Sequence, residues 1–226
     1  MLRTLANTLY WNASGRNSRP VIYDIDQVCP ELRELEENWQ VIRDELDAVL
    51  PHREDIPRYH EIDPERSHIS DESDNGWRIL LLYAMGIKPE GNRAMCPKTV
   101  ALLDKIPNLF QATFSILEPH KSVPAHSTPY WGYLRYHLPM IVPKQNPPWM
   151  RVKDQEVHWK EGEGVLFCDA WDHEVYNNCD EVRVVLMVDI LRPMRWFADR
   201  LNRFITNTVI RNGYARKIGN KNNSFG

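Results

Sequence analysis

The fold is decided between Leu109 and Pro193, where the sequence reads FQATFSIL (110–117), GYLRYHLPMIV (132–142), MRVKD (150–154), EVHWK (156–160), GVLFCDA (164–170), HEVYN (173–177) and RVVLMVDIL (183–191). Each run is short and rich in β-branched and aromatic residues, which favour strands. Turn-forming segments separate the runs, such as EGEG at 161–164 and NNCDE at 177–181. Several short strands at this spacing predict a sandwich or a barrel.

Helical patterns flank this β-rich region. Apolar residues recur at spacings of three and four from Leu32 to Val49, which predicts one amphipathic helix of about five turns. A helical period returns after Pro193, at Trp196, Phe197, Leu201, Phe204, Ile205 and Ile210. Residues 1–20 are polar and lack a period, so they are predicted to form an arm. The prediction is therefore a mainly β fold, with a β-core at about 109–193 inside a single domain of residues 21–226.

The segment between these regions is mixed. Residues 76–86 (GWRILLLYAMG) are typical of a buried strand, and residues 96–106 predict a short helix with Pro97 in its first turn. Residues 52–75 are charged and interrupted by proline, and their three histidines have neither ligand spacing nor apolar neighbours. A surface loop is expected there.

The composition excludes several classes of protein. The net charge is −3 and no run of 18 apolar residues is present, so neither nucleic-acid binding nor a membrane span is expected. The four cysteines show no CxxC spacing and the N-terminus lacks an apolar leader, which favours the cytoplasm. The tail after Arg195 is basic. A solvated helix face is the simpler interpretation, and contact with an acidic partner or an anionic membrane surface is the alternative.

Two strands carry charged residues where apolar ones are expected. Tyr133, Arg135 and His137 share one face of their strand because side chains alternate in direction. Arg183 begins a strand that is apolar on both faces, so its guanidinium needs an anion, and its planar fork fits a carboxylate. A protein Asp or Glu is the commoner source of that carboxylate.

His126 and His173 lie in separate strand-like segments. Hydrogen-bonded core histidines are the commoner reading of such residues. Imidazoles from two strands can also hold Fe(II), Zn or Cu, and non-haem iron enzymes usually add a carboxylate two residues after the first His. Thr128 occupies that position here. The residues alone therefore leave a metal site open but incomplete by the common pattern.

Several motifs together carry a resemblance. They are Phe114-Ser115-Ile116-Leu117-Glu118-Pro119, His126, Leu134-Arg135-Tyr136-His137-Leu138, His173-Glu174-Val175 and Arg183-Val184-Val185-Leu186-Met187-Val188-Asp189. Ser115 and His126 are eleven positions apart, as are His126 and His137, and His173 and Arg183 are ten positions apart. Gly76-Trp77 and Cys96-Pro97-Lys98-Thr99 belong to the same set. With this set the chain resembles the aspartyl/asparaginyl β-hydroxylase family, specifically its bacterial-type members.

The resemblance implies a fold and a chemistry. The fold is a double-stranded β-helix, also called a jelly-roll or cupin-like core, and the activity is that of an Fe(II)- and 2-oxoglutarate-dependent dioxygenase using O₂. It makes His126 and His173 the iron ligands in a branch that lacks the metal carboxylate. It places 2-oxoglutarate against Arg183 and Ser115. The remaining cosubstrate-binding candidates that it implies are Arg135, His137 and Trp77.

The resemblance leaves alternatives open. A two-His centre without a carboxylate is also compatible with halogenation, although Thr128 is bulkier than Gly or Ala and so favours hydroxylation. A non-catalytic jelly-roll module that binds an acidic ligand is a third reading. The substrate is expected to be a small molecule, an amino acid or peptide, or an acyl chain, and a peripheral membrane contact through the basic C-terminal helix is an additional expectation. The sequence makes no prediction of oligomeric state.

Overall fold

The computed structural model describes residues 2–63, 69–70 and 76–213. The helices are α1 (Leu2–Ala13), α2 (Ile25–Val28), α3 (Arg33–Glu37), α4 (Trp39–Val49), α5 (Tyr59–Ile62), α6 (Glu90–Met95), α7 (Pro97–Leu103) and α8 (Trp196–Ile205). The strands are β1 (Ile22–Tyr23), β2 (Trp77–Ala84), β3 (Leu109–Leu117), β4 (Val123–His126), β5 (Tyr133–Ile141), β6 (Trp149–Val152), β7 (Gln155–His158), β8 (Val165–Phe167), β9 (His173–Tyr176) and β10 (Arg183–Leu191). Short 3₁₀ segments lie at Arg16–Ser18, Pro30–Leu32 and Leu50–Asp55, and a π-helical turn, Thr206–Ile210, follows α8.

The strands form two antiparallel sheets. The larger sheet has the order β1-β8-β5-β10-β3-β2 and the smaller has the order β4-β9-β6-β7. From β3 onward the chain moves repeatedly between the two sheets, so strands that are neighbours in sequence lie mostly in opposite sheets. This topology is the double-stranded β-helix, and it confirms the predicted fold class, with helices on both sides of the core in sequence.

The larger sheet is buried on both faces, which explains its nearly continuous apolar strands. One face packs under the helices and contributes Phe114, Leu134, Leu186 and Val188 to the main core, together with Leu46 of α4. The opposite face points toward the smaller sheet. Because side chains alternate along a strand, Arg183 and Met187 of β10 lie on this inner face. The functional candidates are thus held between the two sheets.

The apolar stripe predicted from Leu32 to Val49 is confirmed, but the single continuous helix was wrong. Leu32, Leu35, Ile42, Leu46 and Val49 are all buried. The helix is interrupted at Asn38, whose backbone has φ −108° and ψ 18°. The Asn38 side chain donates to the Glu34 carbonyl at 2.8 Å. Asn side chains that bond to nearby backbone groups in this way compete with regular helix.

Residues 1–20, predicted to be an arm, instead include a docked helix. Tyr10 of α1 is fully buried and Ala6 nearly so, in a cluster with Met85, Phe110 and Tyr130. A helix that buries few side chains carries little periodic signal, so the sequence pattern did not reveal it.

The loop predicted at 52–75 is only partly covered by the described residues. A 3₁₀ segment and α5 occupy its first half. Ile56 is buried, and the Tyr59 ring stacks on Trp77 with centroids 4.0 Å apart. These contacts correct the expectation of a surface loop for that half. Residues 64–68 and 71–75 lie outside the described residues. No helix in the described part of the chain is long and apolar enough to cross a membrane.

Candidate active site

His126 and His173 face each other across two paired strands of the smaller sheet. β4 and β9 are antiparallel, and their register places His126 directly opposite His173. The ring centroids are 4.2 Å apart, with an angle of 53° between the planes. Two residues separated by 47 positions in the sequence are therefore brought to the distance at which both imidazoles can share one ion.

The hydrogen bonds of the two imidazoles fix the same tautomer in each. Nδ1 of His126 lies 2.8 Å from the Pro124 carbonyl, and Nδ1 of His173 lies 2.9 Å from the Trp171 carbonyl. A carbonyl oxygen can only accept, so Nδ1 must carry the proton in both rings. The lone pair of each ring then resides on Nε2. This is the orientation that a metal-binding histidine usually takes, with its other nitrogen bonded to a backbone oxygen.

Thr128 occupies the place of the usual carboxylate. It is buried, and its hydroxyl lies 2.6 Å from the hydroxyl of Tyr133. Within the described ranges, no group of three or more His, Cys, Asp or Glu side chains could together hold a metal ion. The two imidazoles are the donors that the described chain brings together here, and their binding of iron stays a prediction.

Arg183 lies in an adjoining cavity with a guanidinium that protein groups leave incompletely bonded. The side chain is 2% exposed, and neither Nε nor Nη2 has a hydrogen-bond partner among the described residues. It stacks over the Trp159 ring at 3.7 Å. Burial lowers the pKa of Arg183 to about 9, and no described carboxylate offsets that effect. The protein Asp or Glu that was the commoner expectation is not found at this position in the described chain.

Ser115 and Trp77 line the same cavity on neighbouring strands. The indole Nε1 of Trp77 donates to the Ser115 hydroxyl oxygen at 3.0 Å. Because the Ser115 oxygen accepts this bond, its own O–H can be directed to another acceptor. The sequence predicted both residues as cosubstrate-binding candidates. In the structure Trp77 lines the cavity with its own ring and also donates a hydrogen bond to the Ser115 hydroxyl.

His137 is another buried polar residue that lines this cavity. Its Nδ1 has no hydrogen-bond partner among the described residues. Burial, followed by the positive charges of Arg183 and Arg135, holds the pKa of His137 well below its ordinary value, so the ring is neutral. A bound anion would relieve the electrostatic effect of Arg183 and offer His137 an acceptor.

Arg135, another predicted cosubstrate residue, lines both cavities but is committed to protein carboxylates. Its Nε and Nη2 donate to Asp189 at 2.8 and 2.9 Å, and Nη1 lies 3.4 Å from Asp169. Burial acts to lower its pKa, but the two carboxylates hold the pKa well above the ordinary value. The Arg135 guanidinium is therefore a charged part of the lining of both cavities, and its contact with the cosubstrate stays a prediction.

A second cavity, of about 180 Å³, opens beside the histidines. It shares Trp77, His126, Arg135 and Met187 with the Arg183 cavity. Its other lining residues are mixed: Ile62, Ile79, Met85 and Phe110 are apolar, Tyr59, Tyr130 and Tyr133 are amphipathic, and Asp63, Gln111 and Thr128 are polar. A chamber in which apolar and aromatic surface is interrupted by several polar side chains is typical of a binding site for a small ligand or for part of a larger one.

Sequence reasoning missed three contributors to the site. Tyr59 covers Trp77 from a segment predicted to be a loop. Trp159 supports the Arg183 guanidinium, and Asp189 fixes Arg135. The parity of β10 could have identified Asp189, which shares its face with Arg183. No local signal identified Tyr59 or Trp159, because their roles depend on contacts between distant segments.

Comparison with known proteins agrees with this geometry. The sequence profile of the aspartyl/asparaginyl β-hydroxylase family matches residues 36–193. The ornithine lipid ester-linked acyl 2-hydroxylase of Rhizobium tropici is 40% identical over 93% of this chain and 76% of its own. The chain belongs to the aspartyl/asparaginyl β-hydroxylase family.

Other similarities are more distant. The human aspartyl/asparaginyl β-hydroxylase is 29% identical over 81% of this chain, which spans 24% of the human protein. Among solved structures, the cupin domain of a transcriptional regulator from Enterobacter cloacae covers 53% of this chain and all of its own, with 10% identity and a TM-score of 0.37. The matched region of this β-hydroxylase family member contains all seven predicted site residues, and its relatives are hydroxylases.

Proposed function

We propose that this chain is an Fe(II)- and 2-oxoglutarate-dependent hydroxylase that acts on an acyl chain of an amphiphilic lipid. The observation that carries the cosubstrate assignment is the Arg183 guanidinium, which is buried beside the histidine pair with two nitrogens unbonded to the described protein. An unpaired buried charge is costly, and a dicarboxylate reaching into this cavity would supply the missing acceptor. The same cavity contains Ser115 and His137.

Each residue has a defined task in this proposal. His126 and His173 would hold iron through Nε2, while the Pro124 and Trp171 carbonyls keep the rings in the required tautomer. When bound, iron and 2-oxoglutarate supply the oxidising power that inserts an oxygen atom of O₂ into an unactivated C–H bond.

The cosubstrate would be held by its distal carboxylate. Arg183 would bind that group in a charge-assisted contact, and Ser115 would add a neutral donor to it. Trp77 orients the Ser115 hydroxyl through its indole N–H. Phe167 and Val175 line the cavity, and their apolar surfaces exclude water from the carboxylate.

The acyl assignment rests on two observations. The second cavity is lined by His126 and by the apolar side chains of Ile62, Ile79, Met85 and Phe110. The rhizobial relative is named an acyl 2-hydroxylase and is 40% identical to this chain over 216 aligned residues. Cytoplasmic location stays a prediction.

Iron and cosubstrate binding test the proposal directly. Fe(II) and then 2-oxoglutarate are titrated anaerobically, and the metal-to-ligand charge-transfer absorption is followed. We expect the band in the wild type and its loss in His126→Ala and in His173→Ala, because each variant removes one of two protein ligands. His158→Ala is the matched control, since His158 is exposed on β7.

Turnover is measured as succinate formation with candidate lipids, and the products are examined by mass spectrometry. A product one oxygen atom heavier in its acyl chain is expected. No absorption band in the wild type would favour a non-catalytic binding module. Turnover with peptides and none with lipids would reject the acyl assignment while retaining the cosubstrate chemistry.

A further inference from the structure

Exposed large apolar side chains are concentrated on one side of the described molecule. Six such residues are more than a third exposed: Leu5, Tyr176, Trp196, Phe197, Phe204 and Val209. All but Tyr176 lie on α1, α8 or the π-helical turn that follows α8, and α1 packs against α8. Scattered single exposures are ordinary, but five exposed large apolar residues on two packed helices and the turn after them indicate an interaction surface.

The exposed aromatic residues share one side of α8. Phe197 and Phe204 are seven residues apart, which returns a helix to the same face, and Trp196 lies beside Phe197. Trp196 is 72% exposed, Phe197 60% and Phe204 63%. The opposite side of α8 is buried through Ala198, Asn202 and Ile205. The helix is thus anchored by one face and presents three aromatic rings on the other, in the direction of solvent.

The same surface is positively charged. Residues 195–211 contain four arginines (Arg195, Arg200, Arg203 and Arg211), and their acidic residue is Asp199. Asp199 accepts a hydrogen bond from Arg203 at 2.7 Å, so it is already neutralised by that arginine. Arg195 and Arg200 are exposed beside the aromatic residues. This excess is local, because the whole chain has a net charge of −3.

We propose that this α8 face, made of Trp196, Phe197, Arg200 and Phe204, docks onto an anionic lipid bilayer. Aromatic side chains combined with arginines on one helix face suit the boundary between headgroups and acyl chains, and arginines are attracted to anionic lipid. A symmetric contact with a second copy would bring two faces that both have an excess of arginine together, which like charge disfavours. Charge complementarity therefore points to the bilayer.

The docking surface is linked to the substrate cavity through Tyr130. Tyr130 lines that cavity, and its hydroxyl donates to Asn202 on the buried side of α8. Met85 and Phe110 line the same cavity and belong to the cluster that includes Ile205 of α8. Docking by α8 would therefore bring the cavity close to lipid. This link rests on the proposed function, whereas membrane binding itself does not.

The test is flotation of the full chain with vesicles of phosphatidylcholine and phosphatidylglycerol in equal parts, or of phosphatidylcholine alone. The wild type is expected to float with the mixed vesicles. The triple variant Trp196→Ser, Phe197→Ser, Phe204→Ser should lose roughly tenfold or more of this binding, since its apolar contact area is removed. Arg195→Gln with Arg200→Gln should lose roughly fivefold per arginine on the mixed vesicles and little on the neutral ones.

Tyr176→Ser is the matched control, because it removes an exposed aromatic ring from β9, away from this face. It should bind vesicles as the wild type does. A wild type that stays unbound would overturn the proposal, and so would a triple variant that floats normally. A dimer in light scattering that the triple variant dissociates would assign the face to a second copy instead. The charge-transfer band, which the triple variant should retain, reports separately on the proposed function.

Discussion

At the scale of single residues, Arg183 is expected to reduce the stability of the ligand-free protein and to bind the cosubstrate. Its buried guanidinium has two nitrogens without partners in the described chain, and the stacked Trp159 ring compensates only in part. Each unsatisfied buried donor costs about 1–3 kcal/mol and two are unsatisfied here, whereas a desolvated cation–π contact is worth about 2 kcal/mol. The residue is expected to destabilise the protein until an anion binds.

Arg183→Met tests both sides of this account. Met fills a similar volume without charge, so the free energy of unfolding without ligand should rise by about 1 kcal/mol. The affinity for 2-oxoglutarate should fall by more than about tenfold, since a buried charge-assisted contact is worth about 2–5 kcal/mol. Ser115→Ala should lose less, about 0.5–1.5 kcal/mol, because a neutral donor is removed.

Chemical denaturation and the anaerobic titration provide these two measurements. If Arg183→Met were folded but bound 2-oxoglutarate as tightly as the wild type, the anion site would have to be elsewhere. If it were strongly destabilised, Arg183 would have a protein partner that compensates its charge.

Thr128 determines the expected product. Its side chain is buried and hydrogen-bonded to Tyr133, and it is bulkier than the Gly or Ala that would leave room for a halide. We expect the wild type to hydroxylate its substrate even in high chloride, as judged by mass spectrometry of the product. A chlorinated main product would show that the threonine leaves sufficient space and would rank halogenation above hydroxylation.

At the scale of elements, helix α1 is expected to contribute to stability despite its polar sequence. Tyr10 is fully buried, and its ring packs edge-on against Tyr130 with centroids 5.8 Å apart. Burial raises the pKa of Tyr10 and keeps its hydroxyl neutral. Tyr130 also lines the second cavity, so α1 supports one wall of that cavity.

Tyr10→Ala should therefore lower the free energy of unfolding by about 3 kcal/mol, the lower end for deleting a buried aromatic ring. Leu5→Ala is the control on the same helix. Leu5 is 61% exposed, so its loss should cost less than about 0.5 kcal/mol. Thermal or urea unfolding measures both. Equal effects of the two variants would indicate that α1 does not dock in solution.

At the scale of the whole molecule, the proposed ligands join the two sheets. The histidine pair belongs to the smaller sheet through β4 and β9, while Ser115 and Arg183 belong to the larger through β3 and β10. Fe(II) and 2-oxoglutarate bound together would connect these sheets and should stabilise the folded protein. At about one hundred times the dissociation constant the gain is about 2.7 kcal/mol.

Anaerobic thermal unfolding should show a higher midpoint with both ligands than with 2-oxoglutarate alone. The double variant His126→Ala, His173→Ala should lose the additional increase that iron provides. An identical midpoint in wild type with and without the ligands would contradict binding between the sheets.

The sequence by itself determined the class of fold and singled out most residues of the candidate site. Alternating and continuous apolar runs predicted the strands from 109 to 193, because burial of one or both faces imposes these patterns locally. The family motifs identified His126, His173 and Arg183, since their spacing follows from strand and turn lengths. Pro97 correctly marked the start of α7, because proline is accommodated in a first helical turn.

Only the tertiary structure decided how these residues are partnered. It placed His126 opposite His173. It paired Arg135 with Asp189, whereas Arg183 has no carboxylate partner among the described residues. The sequence pattern alone did not distinguish the two arginines in this respect. It also determined that α1 packs against the rest of the domain and that the aromatic residues of α8 are exposed. Periodicity reports which residues a helix could bury, but the neighbouring surface determines which of them it does bury. Contacts between segments distant in sequence carry that information, and no local pattern encodes them.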